Sequence, residues 1–308
     1  DRTSPVSNEA VRAFPPGSCD THMHIYDSRY PAAPSAVIRP ADALVADYRR
    51  FQASFGLDRV VVVQPTTYGL DNRCQLEAVT ELAELGDDAR AIVVVDADTS
   101  VDELRRLDDL GACGARFHML PGGAVGWDDL PIVASRIADL GWHIQLQLDG
   151  RKLPHRLDEL LALPTPLVVD HVGRFMPPVT PGHDAFRALL ALLDTGRTWV
   201  KLSAPYESTL DGAPTFPSVS TLATALVAAQ PERMLWASNW PHPGQREQLT
   251  DRDLLALTLD WLPDASVRHR VLVTNPAELY RFPRPADPPA DPPADPPADP
   301  PADQRSSP

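Results

Sequence analysis

Apolar residues along the chain gather in eight short, near-continuous runs, separated by longer stretches in which they recur every three or four positions. The runs begin near Cys19, Arg59 (RVVVVQP), Arg90 (RAIVVVD), Gly114 (GARFHM), His143 (HIQLQLD), Leu167 (LVVDHVG), Thr198 (TWVKLSA) and Met234 (MLWASNW). Such continuous, β-branched runs are expected of strands buried on both faces. Helical spacing covers 42–55, 72–85, 101–110, 128–140, 153–163, 184–193, 219–229 and 252–262. Strand followed by helix, eight times over, predicts a parallel sheet covered by helices. The count of eight favours a closed (β/α)8 TIM-type barrel over an open doubly wound sheet. No glycine-rich phosphate turn follows the first run, which counts against a dinucleotide fold. The single barrel domain is expected over 18–282, after a flexible N-terminal segment, 1–17. From 283 to 308 Pro-Ala-Asp-Pro recurs every four residues, and this proline density permits only an extended, disordered tail.

Composition narrows the partners. With 308 residues, 43% of them hydrophobic, the chain is long enough for one large core. A formal net charge of -14 leaves no basic face for nucleic acid or an anionic membrane, but a few local cations still admit a small anionic substrate. Cys19, Cys74 and Cys113 are odd in number and lack metal-ligand spacing, so they are expected as reduced thiols in a cytoplasmic protein. The oligomeric state has no signature in the chain.

In a barrel of this kind the chemistry gathers at the C-terminal ends of the strands. His22 and His24, two apart on the first strand, point the same way and can share a pocket. Gln64 ends the second run, Asp96 the third, Arg116 and His118 the fourth, Gln145 and Gln147 the fifth, Asp170 and His171 the sixth, Lys201 the seventh and Asn239 the eighth. Any one of these is explained by a cap or a closing hydrogen bond. Together they outline a site.

DTHMH on the first strand, VVDHVGRF on the sixth, VKLSAPYE on the seventh and RMLWASNWPHP on the eighth resemble the amidohydrolase superfamily, in its lactone-processing branch of 2-pyrone-4,6-dicarboxylate lactonases and galactarolactone isomerases. The resemblance implies a barrel enzyme acting on a small anionic lactone. Metal-dependent members close their site with an Asp on the eighth strand and a Lys or Glu on the fourth, where this chain has Asn239 and Arg116. An amide is a poor ligand for a divalent ion and a guanidinium is none at all. A metal-free site is therefore expected, the alternative being zinc held by His22, His24 and His171.

The expected reaction follows from Asn239, which is no base at neutral pH. A hydroxyl carried by the substrate needs less activation than water, which favours rearrangement of a sugar-diacid δ-lactone to a γ-lactone over hydrolysis. The roles expected from the resemblance are a proton relay at His171, polarisation of the carbonyl by His22 and His24, and orientation of the attacking hydroxyl by Asn239. Arg116 would clamp the remote carboxylate, with Lys201 as a second cationic contact, and Gln64, Gln147, Tyr206 and His242 would meet substrate hydroxyls. A lactone hydrolase is the alternative, and a sugar-acid binding protein without activity is the third possibility.

Overall fold

The computed structural model describes residues 13–245 and 249–283. Residues 1–12 and the repeat expected to be disordered from 284 onward lie outside the described residues. Eight strands, β1 (Cys19–Met23), β2 (Arg59–Val63), β3 (Asp88–Val93), β4 (Ala112–His118), β5 (His143–Gln147), β6 (Leu167–Val169), β7 (Thr198–Leu202) and β8 (Met234–Trp236), form one parallel sheet in sequence order. After β8 the chain returns to β1. Asn239 N–H donates to His22 O at 2.8 Å, His24 N–H to Trp240 O at 2.9 Å and Thr21 Oγ1 to Trp236 O at 2.8 Å, which brings the two edges together into a barrel. The fold is the (β/α)8 barrel that the eightfold alternation predicts.

The eight helices that follow the strands are α1 (Val45–Phe55), α2 (Arg73–Glu84), α3 (Val101–Asp109), α4 (Asp129–Ile137), α5 (Leu153–Leu161), α6 (Asp184–Asp194), α7 (Pro217–Ala229) and α8 (Asp251–Trp261). Most lie within a residue or two of their predicted spans. The first starts three residues late, because Asp42 turns outward to accept from Ser28 N–H at 2.8 Å instead of opening the helix. Local chemistry fixes other starts: the Ser100 hydroxyl accepts from Glu103 N–H, and Thr250 and Asp253 cap each other reciprocally.

Alternation within the strands builds two cores. Val60 and Val62 face the helices, whereas Val61 and Val63 join Cys19, Ile92, Cys113, Val168 and Leu235 inside the barrel. Two short helices after α8, α9 (Ala265–His269) and α10 (Asn275–Leu279), escape the sequence pattern because each is too short to show a period. The second delivers Ala277, Tyr280 and Phe282 to the interior core. Phe282 lies under the guanidinium groups of Arg59 and Arg90, 5.5 and 4.9 Å from its ring centroid, so this segment plugs the N-terminal mouth of the barrel. At the other terminus Phe14 is buried against Phe55 and Trp236, so packing begins before residue 18. No helix among the described residues is long and apolar enough to cross a membrane, and the three cysteines are buried free thiols.

Candidate active site

The strands deliver their polar ends to one place, and the loops beyond them supply the rest. Asp20 anchors the junction of β1 and β8: its carboxylate accepts from Ser238 N–H at 3.0 Å and from the Ser238 hydroxyl, from His22 N–H at 3.2 Å and from the Tyr48 hydroxyl at 3.2 Å. Burial raises its pKa to about 6. Asn239 follows Ser238 directly, so the position of its amide is inherited from this knot.

His22 and His24 share the pocket as their spacing predicts, with Nε2 atoms 3.2 Å apart. His24 Nδ1 lies 2.7 Å from Val63 O, and because a carbonyl only accepts, the proton is on Nδ1 and Nε2 carries the lone pair. Burial above all, with Arg116 adding to it, lowers the His24 pKa to about 3. His22 is likewise held neutral by burial and by Lys201, its pKa well below the usual imidazole range. Two donors face its Nδ1, Gln145 Nε2 at 3.3 Å and the Lys201 ammonium at 3.4 Å. His22 therefore accepts at Nδ1 and donates from Nε2 to His24.

Lys201 was expected to contact substrate. It lies instead fully buried beneath His22, its ammonium donating at 2.7 Å to both Thr21 O and Gln145 Oε1. Burial brings its pKa down to about 8, so it stays charged at neutral pH. Asp170 sits among these cations, 3.4 Å from His22 Nδ1, 3.8 Å from Lys201 Nζ and 3.9 Å from Arg116 Nε. Asp170 and, on the far side of His22, Asp20 thus set two carboxylates against the two cations Lys201 and Arg116.

Asp170 and His171 lie just past β6, in a tight turn and not on the strand itself. Left-handed backbone at His171, Val172 and Arg174, with φ of 54°, 55° and 48°, turns that loop, and Ala204, Asn239 and His242 repeat the conformation in the loops after β7 and β8. Each such residue costs about 1–3 kcal/mol, and such strain gathers where side chains must be aimed. His171 Nδ1 meets the Ser203 hydroxyl at 2.8 Å, which leaves Nε2 for a ligand. Asn239 Nδ2 donates to the Tyr206 hydroxyl at 2.9 Å, and that hydroxyl, 2.8 Å from His242 Nδ1, donates a hydrogen bond to the imidazole.

Arg116 donates from Nη1 to Gln64 O at 2.9 Å and from Nη2 to Gln147 Oε1 at 2.8 Å, so part of its fork is committed to the protein. The Gln64 side chain bonds Gly69 O and Asp71 O and holds the loop after β2, and Gln147 orients Arg116 and His118. Asp96 ends up beyond β3 in a turn of its own, bonded to Thr99. Sequence reasoning left Asp20, Asp170, Gln145, His118 and Ser203 without roles. The signal for the acids was present, since Asp20 stands two residues before His22 and Asp170 directly before His171. Nothing marks Ser203. For a metal, the described residues bring together ligand atoms of His22, Asp170 and His171, all within 4.8 Å of one another. The space left between Gln64, Arg116, His118 and the loop after β4 is about 10 Å³, room for one water at most.

A family model described as Amidohydrolase matches residues 19–282. The chain is 38% identical over 274 residues to a D-galactarolactone isomerase of Agrobacterium fabrum, covering 87% of this chain and 92% of that protein. It is 34% identical over 282 residues to a 2-pyrone-4,6-dicarboxylate hydrolase of Comamonas testosteroni, covering 87% and 91%. A crystal structure of an Agrobacterium tumefaciens protein matches with a TM-score of 0.82 at 37% identity, covering 88% of this chain and 98% of that one. With that much of the barrel shared, and with its polar groups gathered at the strand ends, the chain belongs to the amidohydrolase family and is an enzyme of its lactone-processing group.

Proposed function

We propose that the protein rearranges a sugar-diacid δ-lactone to the γ-lactone, a reading supported by its 38% identical relative, which is named a D-galactarolactone isomerase. The observation that carries this reading is the amide of Asn239. Where water would have to be deprotonated there is a group that donates to Tyr206 and cannot take a proton. A ring hydroxyl of the substrate is already held beside its own ester carbonyl and gains the effective molarity of an intramolecular attack. It gives its proton to His171 Nε2 as its oxygen bonds to the carbonyl carbon. The tetrahedral intermediate then collapses, the original ring oxygen leaves, and it takes the proton back from His171. No atom is gained or lost. Arg116 holds the remote carboxylate, and the Lys201 ammonium beneath His22 favours the oxyanion.

The family implies a divalent metal, and the donor set here does not fit one. Ligation by both Nε2 atoms of the His22 and His24 pair would turn the His22 proton onto Nδ1 toward Asp170 Oδ1 at 3.4 Å, but it would set the ion beside the Lys201 ammonium, 3.4 Å from that same nitrogen. The set His22, Asp170 and His171 has the same ammonium beside it, 3.8 Å from Asp170. No step is assigned to a metal.

Hydrolysis is the second reading. It is favoured by the 34% identical hydrolase and by the bare Nε2 of His171, which could receive a proton from water. The test is to incubate the protein with a panel of δ- and γ-aldarolactones and follow both products by NMR, before and after dialysis against a chelator. Rearranged lactone as the main product, at a rate the chelator leaves unchanged, is expected. Open-chain diacid as the main product would replace this reading with hydrolysis, and activity that vanishes with the chelator and returns with zinc would overturn the metal-free site.

A further inference from the structure

His118 has no role in the reaction just described, yet it stands on the same wall as Arg116. Both side chains come from the end of β4 and meet at one atom. Arg116 Nη2 donates to Gln147 Oε1 at 2.8 Å, and His118 Nδ1 lies 3.2 Å from that same atom. A guanidinium has donors only, so the shared atom must be the oxygen of the Gln147 amide and not its nitrogen. A carbonyl oxygen cannot donate, so the proton between Gln147 and His118 belongs to His118 Nδ1. Burial, and after it the charge of Arg116, pushes the His118 pKa down to about 3, so the ring is neutral and carries no second proton. Its Nε2 is therefore a lone pair that cannot become a donor at neutral pH. His118 is only half-buried, and with Gln64, Arg116 and Val125 it lines the small space under the loop after β4.

One wall thus offers two complementary features side by side. Arg116 has donors left over once Gln64 O and Gln147 are satisfied, and His118 offers a fixed acceptor. A carboxylate needs the first, and a hydroxyl needs the second. We propose that Arg116 and His118 together read an α-hydroxycarboxylate, the guanidinium taking the carboxylate and His118 Nε2 accepting the hydrogen bond of the hydroxyl on the adjacent carbon. The proposal rests on the reading of this pocket as the lactone site, and it narrows the substrate to hydroxylated sugar-diacid lactones. A dicarboxylate without that hydroxyl would leave the Nε2 lone pair desolvated and unpaired. A site built to hydrogen-bond a hydroxyl rejects analogues lacking it far more strongly than an apolar pocket rejects a missing methylene.

The test uses equilibrium binding, so that it stands apart from turnover. Calorimetry on the full chain compares 2-hydroxyadipate, each enantiomer separately, with adipate, six-carbon diacids that differ in one hydroxyl. The wild type is expected to bind one enantiomer of 2-hydroxyadipate at least about tenfold more tightly than adipate. His118→Phe keeps a flat ring but no acceptor, and it should bring the two diacids within about threefold of each other, by weakening 2-hydroxyadipate and by relieving the unpaired lone pair that penalises adipate; His118→Leu serves if the Phe variant does not fold. A wild type that binds both diacids equally, or neither, overturns the proposal, and so does a variant that keeps the tenfold preference. A preference for 2-hydroxyadipate in a protein that rearranges no lactone would leave this inference standing and sink the isomerase reading.

Discussion

Replacing one NH2 by an oxygen distinguishes Asn239 from the aspartate that the hydrolytic chemistry of the family calls for, and the surroundings are built around the nitrogen. Asn239 Nδ2 is the donor that turns the Tyr206 hydroxyl toward His242 Nδ1. In Asn239→Asp the carboxylate can only accept, so Tyr206 swings its proton to residue 239 and His242 loses its donor. The carboxylate, with an intrinsic pKa of about 4, is ionised at neutral pH and can take a proton from water. The variant should form rearranged lactone at least about tenfold more slowly and should release open-chain acid that the wild type does not, by a similar factor. A pH indicator reads the acid and NMR the lactones. If wild-type protein already releases acid at the rate of the variant, Asn239 does not exclude water and hydrolysis is the reaction. At this scale the sequence shows which residue types converge, because His22, His24, Arg116, His171 and Asn239 each interrupt an apolar run at its end. It does not show which nitrogen carries a proton, or that Lys201 points under His22 and not into the pocket. Those depend on partners such as Gln145 and Val63 O, which are far off in the chain.

Among the elements, the strands are legible as near-continuous apolar runs and the helices by their 3.6-residue period, and the loops are not, because aim there is set by backbone conformation. Nothing in the sequence pattern says that His171 is turned by left-handed backbone after a strand of three residues. The loop after β4 packs beside Arg116 and His118. It leaves about 10 Å³ beside Arg116. Its turn is cut to a glycine: a Cβ on Gly123 would sit 1.9 Å from His118 O. Gly123→Ala must therefore push the loop off β4 and drag the His118 backbone with it. The barrel core is untouched, so the melting temperature should fall by no more than about 4 °C, while kcat/KM for the lactone should drop at least about tenfold, through misplaced His118 and Arg116. Unchanged kcat/KM in a folded Gly123→Ala variant would show that this loop does not shape the site.

Seen whole, the molecule separates chemistry from stability. The strained loops and the polar groups of the site lie at the C-terminal mouth, and the opposite mouth is closed by apolar side chains capped by two arginines. Tyr280 and Phe282 enter the interior core beside Cys19 and Cys113, with Phe282 pinned under Arg59 and Arg90 and the Arg59 guanidinium also bonded to Pro283 O. The sequence pattern puts the end of the domain at 282, and Phe282 is the last packed side chain among the described residues; beyond it the Pro-Ala-Asp repeat holds no apolar residue larger than alanine and proline. Two truncations follow from this boundary. Removing 284–308 takes away nothing that can fill the barrel, so the melting temperature should stay within about 2 °C and turnover should be unchanged. Removing 275–308 strips Ala277, Tyr280 and Phe282 from the core. Burial of each aromatic side chain is worth about 1.5–3 kcal/mol, and at roughly 2–4 °C per kcal/mol for a chain of this size or somewhat smaller the melting temperature should fall by about 6–24 °C. Circular dichroism melts of the three proteins decide it. A loss of more than about 5 °C on removing 284–308 alone would mean that the acidic repeat docks on the barrel, and the domain boundary drawn at Phe282 would have to move.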